Sequence, residues 1–200
     1  MKNYILILAT FLFFSCGGDQ AASSSSGAKS ANLTGYSIVD FPNSNMQKAM
    51  RTDAAGKIVE EGEVLDGKKT GTWITYHDGE NIIVSTITNY VNGMRNGLWM
   101  RVGKNNRVEA YGYYANDVKD GKWVTYNFSR REKEEEYRNG KLHGISRTFY
   151  KTGKDGQIKE ELEYKDGVQD GIYRYYLEDG SISLDYVYKN GEVIERKKQG

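Results

Sequence analysis

Thirteen positions recur along this chain, and an array of near-identical hairpins is the architecture they predict. "YVNGMRNGLWMRV" (90–102) is followed by "YANDVKDGKWVTY" (114–126), "YRNGKLHGISRTF" (137–149) and "YKDGVQDGIYRYY" (164–176). With the turn residue set to zero, the zeros are Gly67, Gly93, Asp117, Gly140, Gly167 and Gly191, at intervals of 26, 24, 23, 27 and 24. Three positions before zero stand Val64, Tyr90, Tyr114, Tyr137, Tyr164 and Tyr188. Four after stand Gly71, Gly97, Gly121, Gly144 and Gly171. Six after stand Trp73, Trp99, Trp123, Ser146 and Tyr173, and nine after Tyr76, Val102, Tyr126, Phe149 and Tyr176. Fixed columns across variable filler are the mark of a repeat protein.

Each unit reads as one β-hairpin. The residues nine before zero (Ile58, Val84, Val108, Arg131, Ile158, Ile182) lie six from the tyrosine column, an even spacing that puts both on one face of a strand. The paired glycines bracket a tight reversal, where Gly, Asn and Asp supply positive φ. Second turns such as Asp78-Gly79 and Asp179-Gly180 lead to the next unit. The expected fold is all-β: an elongated, open antiparallel meander of about a dozen strands, roughly 50–60 Å long at about 4.8 Å per strand. Trp73 and Tyr76 are three apart, as are Trp123 and Tyr126. This places aromatics on both faces of a twisted single layer, unless a bulge restores the register.

Two segments depart from the pattern. "SRREKEEEY" (129–137) has almost no apolar residue before Tyr137, and Ser146 follows where an aromatic is due. It reads as a solvated strand held by cross-strand charge pairs, the alternative being a bend or a polar docking site. Residues 33–56 form an N-terminal cap: a strand over 36–41, Pro42, then a helix from about Asn45 to Thr52, with Ser44 and Gln47 at capping-box spacing. At the other end "EVIERKKQG" offers charges that would protect an exposed sheet edge.

The first residues give an address. "MKNYILILATFLFFSC" has a basic start, an apolar run from Tyr4 to Phe14, and Ser15-Cys16. The run is shorter than the roughly 20 residues of a spanning helix and fits a secretion signal. A small residue before a lone Cys resembles the bacterial lipobox, which implies a signal peptide over 1–15 and diacylation of Cys16. Residues 16–32, "CGGDQAASSSSGAKSAN", lack apolar periodicity and read as a flexible tether. Gly17 rather than Asp after the Cys resembles outer-membrane sorting. The expected localisation is therefore the bacterial cell envelope, with membrane attachment through the lipid on Cys16. The repeats then fill 57–200.

The repeat columns resemble the MORN repeat (membrane occupation and recognition nexus), in its bacterial variant with an added strand and a Trp after the second Gly. The resemblance covers residues 57 to about 194. It implies a scaffold fold. Bacterial members with this pattern are labelled YwqK-like antitoxins, and eukaryotic relatives are associated with membranes, phospholipids or partner proteins. An exported, lipidated chain could not neutralise a toxin in the cytoplasm, so an antitoxin role implies an immunity-like protein acting in the envelope.

The rest of the composition narrows chemistry. Lys plus Arg is 28 against Asp plus Glu 27, so the chain lacks the field that draws nucleic acid, and no nucleic-acid partner is expected. His77 and His143 occupy non-equivalent repeat positions, and no Cys remains for zinc. Turn chemistry accounts for the Asp-Gly pairs without calcium. No pair among the acidic residues stands out for glycosidase chemistry. No enzyme, cofactor or metal is expected. Trp73, Tyr76, Trp99, Trp123, Tyr126, Tyr173 and Tyr176 remain: they serve sheet packing or, if the twist leaves a trough, bind an extended peptide, a glycan or a partner protein. The expected function is a non-enzymatic envelope scaffold, with the immunity-like protein as the alternative.

Overall fold

The computed structural model describes residues 29–79 and 82–197; the signal peptide expected over 1–15, the expected lipidation site Cys16 and most of the expected tether lie outside these. Within them the chain forms a single antiparallel sheet. Its strands are β1 (Ser37–Asp40), β2 (Met46–Thr52), β3 (Ile58–Leu65), β4 (Lys68–Tyr76), β5 (Val84–Val91), β6 (Met94–Val102), β7 (Val108–Ala115) and β8 (Val118–Asn127). There follow β9 (Arg130–Arg138), β10 (Lys141–Leu142), β11 (Gly144–Phe149), β12 (Ile158–Lys165), β13 (Val168–Tyr176), β14 (Ile182–Lys189) and β15 (Glu192–Arg196). Each strand pairs with its neighbour in sequence, except that β9 pairs both the two-residue β10 and β11. β1 and β15 are the two free edges, so the meander is open and not closed into a barrel.

The hairpin turns behave as the repeat demands. Leu65 pairs Lys68 across a two-residue loop, Asp66 and Gly67, with φ of 49° and 71°. Asn92-Gly93, Asn116-Asp117, Asn139-Gly140, Asp166-Gly167 and Asn190-Gly191 share this left-handed pair of conformations, the mark of the type I′ turn whose twist matches a hairpin. The turns are also stitched together. The amide of each zero residue donates to a carbonyl two residues past the previous zero, as in Gly93 N to Lys69 O (2.9 Å) and Asp117 N to Arg95 O (2.9 Å). The ladder runs to Gly191 N and Gln169 O at 2.8 Å.

Three expectations need correction. The helix over 45–52 is instead strand β2, paired to β3 from Met46↔Leu65 to Thr52↔Ile58. Ser44 Oγ does accept the Met46 amide at 3.0 Å, but it closes a turn that returns the chain antiparallel to β1. Ala49 is then fully buried against Val64 and Trp73, and this tertiary contact overrides local helix propensity.

The second correction concerns the glycine four after zero. It lies in the returning strand and not in the reversal itself. Gly62 on β3 faces three residues of β4, Gly71, Thr72 and Trp73, and the register slips there. The positive φ of Gly71 (61°), Gly97 (102°) and Gly121 (68°) builds this bulge in successive hairpins. A Cβ on Gly121 would meet nothing within 4 Å, so Gly121→Val is a purely conformational test. It is expected to cost more than about 1 kcal/mol in urea unfolding, because a β-branched residue is strained at that φ.

The third correction is to the shared face of the columns nine and three before zero. A one-residue bulge separates them in every repeat, for example between Thr125↔Lys133 and Tyr126↔Arg131. Its effect is visible in β9, where Arg131 Nη1 donates to Glu134 Oε1 at 3.0 Å although the two are three apart. The sheet thus has a Trp face, with Trp73, Trp99, Trp123 and the tyrosines three before zero, and a Tyr face with Tyr76, Tyr111 and Tyr126. Aromatics do lie on both faces, and bulges are present as well.

On the Trp face Trp73 and Trp123 each fold back over their own hairpin. Trp73 Nε1 donates to Glu63 O (2.9 Å) and Trp123 Nε1 to Tyr113 O (3.0 Å), the same position in the two repeats. The indoles lie on Gly62 and Gly112, where an added Cβ would come within 2.2 Å of ring carbons. Tyrosines close the sides edge-on: Tyr36 and Tyr90 about Trp73, Tyr114 and Tyr137 about Trp123.

Candidate interaction surface

The structure does not bring the seven sequence-selected aromatics together. Trp73, Trp99, Trp123 and Tyr173 are on the Trp face, while Tyr76, Tyr126 and Tyr176 follow the opposite parity. Trp73 and Trp123 are only 2% and 7% exposed. Their ring faces are also occupied. Lys69 Nζ sits 3.7 Å from the Trp73 ring and Lys119 Nζ 4.2 Å from that of Trp123, each cation four residues before its indole. Trp99 stacks on Trp123 with ring centres 5.3 Å apart. These rings are sheet packing, with the cation–π contact as a lid.

The N-terminal end of the described chain adds a strap to this face. Ala31 N donates to Gly67 O at 2.8 Å, and Lys29 pairs with Asp117. Asp117 stands where other repeats have glycine, and it ties two hairpins together. It accepts the Arg95 amide at 2.9 Å and Arg95 Nε at 3.1 Å. Burial works to raise its pKa, but Lys29 and the two Arg95 donors outweigh it and hold the carboxyl down at about 2. The unfolded carboxyl titrates near 3.9, so this stabilisation is fully present above that pH and is lost as pH falls through about 2. Asp117→Asn is expected to cost about 1 kcal/mol at neutral pH, and the difference in urea midpoint should close between pH 4 and 2.

The Tyr face is different. One cross-strand row runs through Glu61, Ile74, Ile87, Met100, Tyr111 and Val124 before it turns charged at Glu134. Tyr76 donates to Glu61, and burial first, then that carboxylate, push its phenol up to about 12. Lys48 first, then Tyr76, hold the Glu61 pKa low.

The row's apolar centre opens into a shallow depression of about 350 Å³, lined by Met100, Arg107, Val108, Tyr111, Tyr126 and Ser129. Tyr111 and Tyr126 form its floor, stacked at 6.3 Å. The Arg107 guanidinium at the mouth has no hydrogen-bond or ion-pair partner among the described residues. Of the residues chosen from sequence only Tyr126 is here. Met100 and Tyr111 belong to columns seven after and six before zero; the first changes from apolar to charged down the chain, and the second is uncharged only at Ile87 and Tyr111, which was the available signal.

β9 is uninterrupted, so its charged run is not a bend. Nor is it fully solvated, since Glu134 is buried and engages Lys122 and Arg131 at 3.0 Å each. Burial would raise its pKa, but those two cations bring it below the usual range. The histidines sit apart: His77 Nε2 contacts Val102 O at 2.7 Å and His143 Nδ1 contacts Asp166 at 3.1 Å. Among the described residues no His, Cys, Asp and Glu cluster is placed to hold a metal. No family model and no curated protein matches this chain.

Proposed function

We propose that the protein is a non-enzymatic, lipid-anchored scaffold of the bacterial cell envelope, and that its MORN-like sheet binds another protein through the Tyr face. The observation that carries this reading is the contrast between faces. Trp73 and Trp123 are buried beneath the chain's own cations and tyrosines and Trp99 stacks on Trp123, whereas the Tyr111–Tyr126 floor lies open beside Arg107, whose guanidinium has no partner among the described residues. An aromatic floor with a free guanidinium at its rim suits an apolar side chain flanked by a carboxylate. A glycan would need flat, uncovered rings, and Trp73 and Trp123 do not offer them.

The test compares the full chain with a Tyr111→Ser/Tyr126→Ser variant as bait for envelope proteins. One partner retained by the native chain and lost by the variant supports the reading; equal retention, or displacement by soluble glycan, overturns it. For the anchor, Cys16→Ser is expected to move the protein from the membrane to the soluble fraction on fractionation. Retention of the variant in membranes would remove the lipid from the account.

A further inference from the structure

The turn beside the depression is unlike the other tight turns of the sheet. Phe128 and Ser129 join β8 to β9 in a two-residue loop, Asn127 pairing Arg130, with φ of 48° and 70°. The six other two-residue loops place Asn, Asp or Gly at such angles, because a bulky side chain rarely adopts them. Phe128 is also 81% exposed, the most exposed large apolar residue among those described. A strained backbone that presents an aromatic ring to water is unfavourable on both counts for an isolated molecule, and such strain concentrates where contacts are made.

Phe128 borders concavities on both sides. Ser129, its neighbour, lines the Tyr111–Tyr126 depression. Phe128 itself lines an adjoining hollow of about 230 Å³ with Val108 and Tyr126, and another of about 350 Å³ with Arg130 and Arg131. An apolar knob and an apolar socket therefore sit side by side on one surface. That arrangement is self-complementary: a two-fold axis between them places each copy's knob in the other's socket. The rim charges agree. Among the described residues the Arg107 guanidinium has no partner, while Glu109 and Glu132 are held only by exposed ones, Arg101 at 3.1 Å and Lys151 at 3.3 Å, pairs that exchange at little cost.

We infer that the occupant of this depression is a second copy of the chain, with Phe128 of each protomer seated on Tyr111 and Tyr126 of the other and Arg107 facing the partner's acidic rim. This rests on reading the depression as a protein-docking surface and names what docks there. Two knobs and two sockets bury well under the roughly 1,200 Å² of a standard interface, so the dimer is weak and transient.

Self-association is read by energy transfer between two differently labelled pools of the full chain. Phe128→Gly removes the knob and relieves the turn, so its melting midpoint should hold or rise while Kd increases about 100-fold, both hot-spot rings being lost at once. Arg107→Glu should weaken transfer at least tenfold, and added salt should weaken the native dimer. A photo-reactive phenylalanine analogue at 128 should cross-link to residues 100–126 of a differently tagged copy. The absence of transfer and of inter-copy cross-links up to about 1 mM, the weak limit of specific contact, overturns the second-copy assignment. A cross-link from 128 only to another protein overturns it too, yet leaves the scaffold reading standing.

Discussion

Gly112→Ala is expected to destabilise the fold by about 3 kcal/mol, at the upper end of the range for overpacking a well-packed site. The added Cβ would lie 2.2 Å from Trp123 Cδ2 and 2.4 Å from Cε2. The indole cannot step aside cheaply. Its Nε1 is bonded to Tyr113 O, Tyr114 and Tyr137 press edge-on from two sides, and Trp99 stacks on it. φ is not the cause, since Gly112 is not among the positive-φ residues. Gly112→Ala should therefore cost well over twice as much as Gly121→Ala, where nothing lies within 4 Å. Trp123→Ala alone is expected to cost about 3–5 kcal/mol, and adding Gly112→Ala to it about nothing, because the clash has gone. Urea unfolding of the two single variants and the double measures this non-additivity. Additive costs would mean that the glycine serves the strand and not the indole.

The same size rule explains a repeat that looked defective in the sequence. In the fourth hairpin the residue equivalent to Gly112 is Glu135, and the position equivalent to Trp123 is Ser146. Ser146 is buried, so a small residue fills the place of the indole where a large one occupies the place of the glycine. In this hairpin, as in those of Trp73 and Trp123, one large and one small residue share the space.

Periodicity in turn residues made the meander, the hairpin loops and the open edges legible, because type I′ turns allow few residue types and strands alternate by two. Faces were harder to read. Val108 and Tyr114 are six apart, yet Val108 shares the Tyr-face depression with Tyr111 and Tyr126, since the bulge inserts one residue that no composition marks. β2 was misread for a related reason. Met, Gln, Lys and Ala favour helix locally, and only pairing along the edge of β3, which local propensity does not show, makes a strand of them. Of the candidate site Tyr126 was legible, but not which of the recurring aromatics pack and which stay open. That depends on the cations at Lys69 and Lys119 reaching back four residues, and on Tyr111, which no recurring aromatic column contains.

The second large effect is expected at Glu161. Down the chain the Tyr-face row that holds Ile74, Ile87 and Met100 becomes Glu134, Arg147, Glu161, Arg174 and Asp185, alternating in sign on five successive paired strands. Arg147 Nε holds Glu161 at 2.6 Å, Arg174 Nη1 lies 4.0 Å from Glu161, and Arg174 Nε lies 3.5 Å from Asp185. Glu161 is only 7% exposed. Glu161→Ala leaves two guanidinium groups facing each other in partly buried positions, and should cost about 3–5 kcal/mol. Removing both members of the tightest rung (Arg147→Met with Glu161→Ile) should cost far less, because Ile74, Ile87 and Met100 build the same row from apolar residues. The outer rung is looser, with Arg174 Nε and Asp185 Oδ1 buried and lacking a hydrogen bond among the described residues, so Asp185→Asn should be the mildest change. Chemical unfolding of the three variants orders them. If the double replacement were as damaging as Glu161→Ala, the ladder would supply net stability itself, and the charges could not be read as a way of fixing register in a sheet with six near-identical turns.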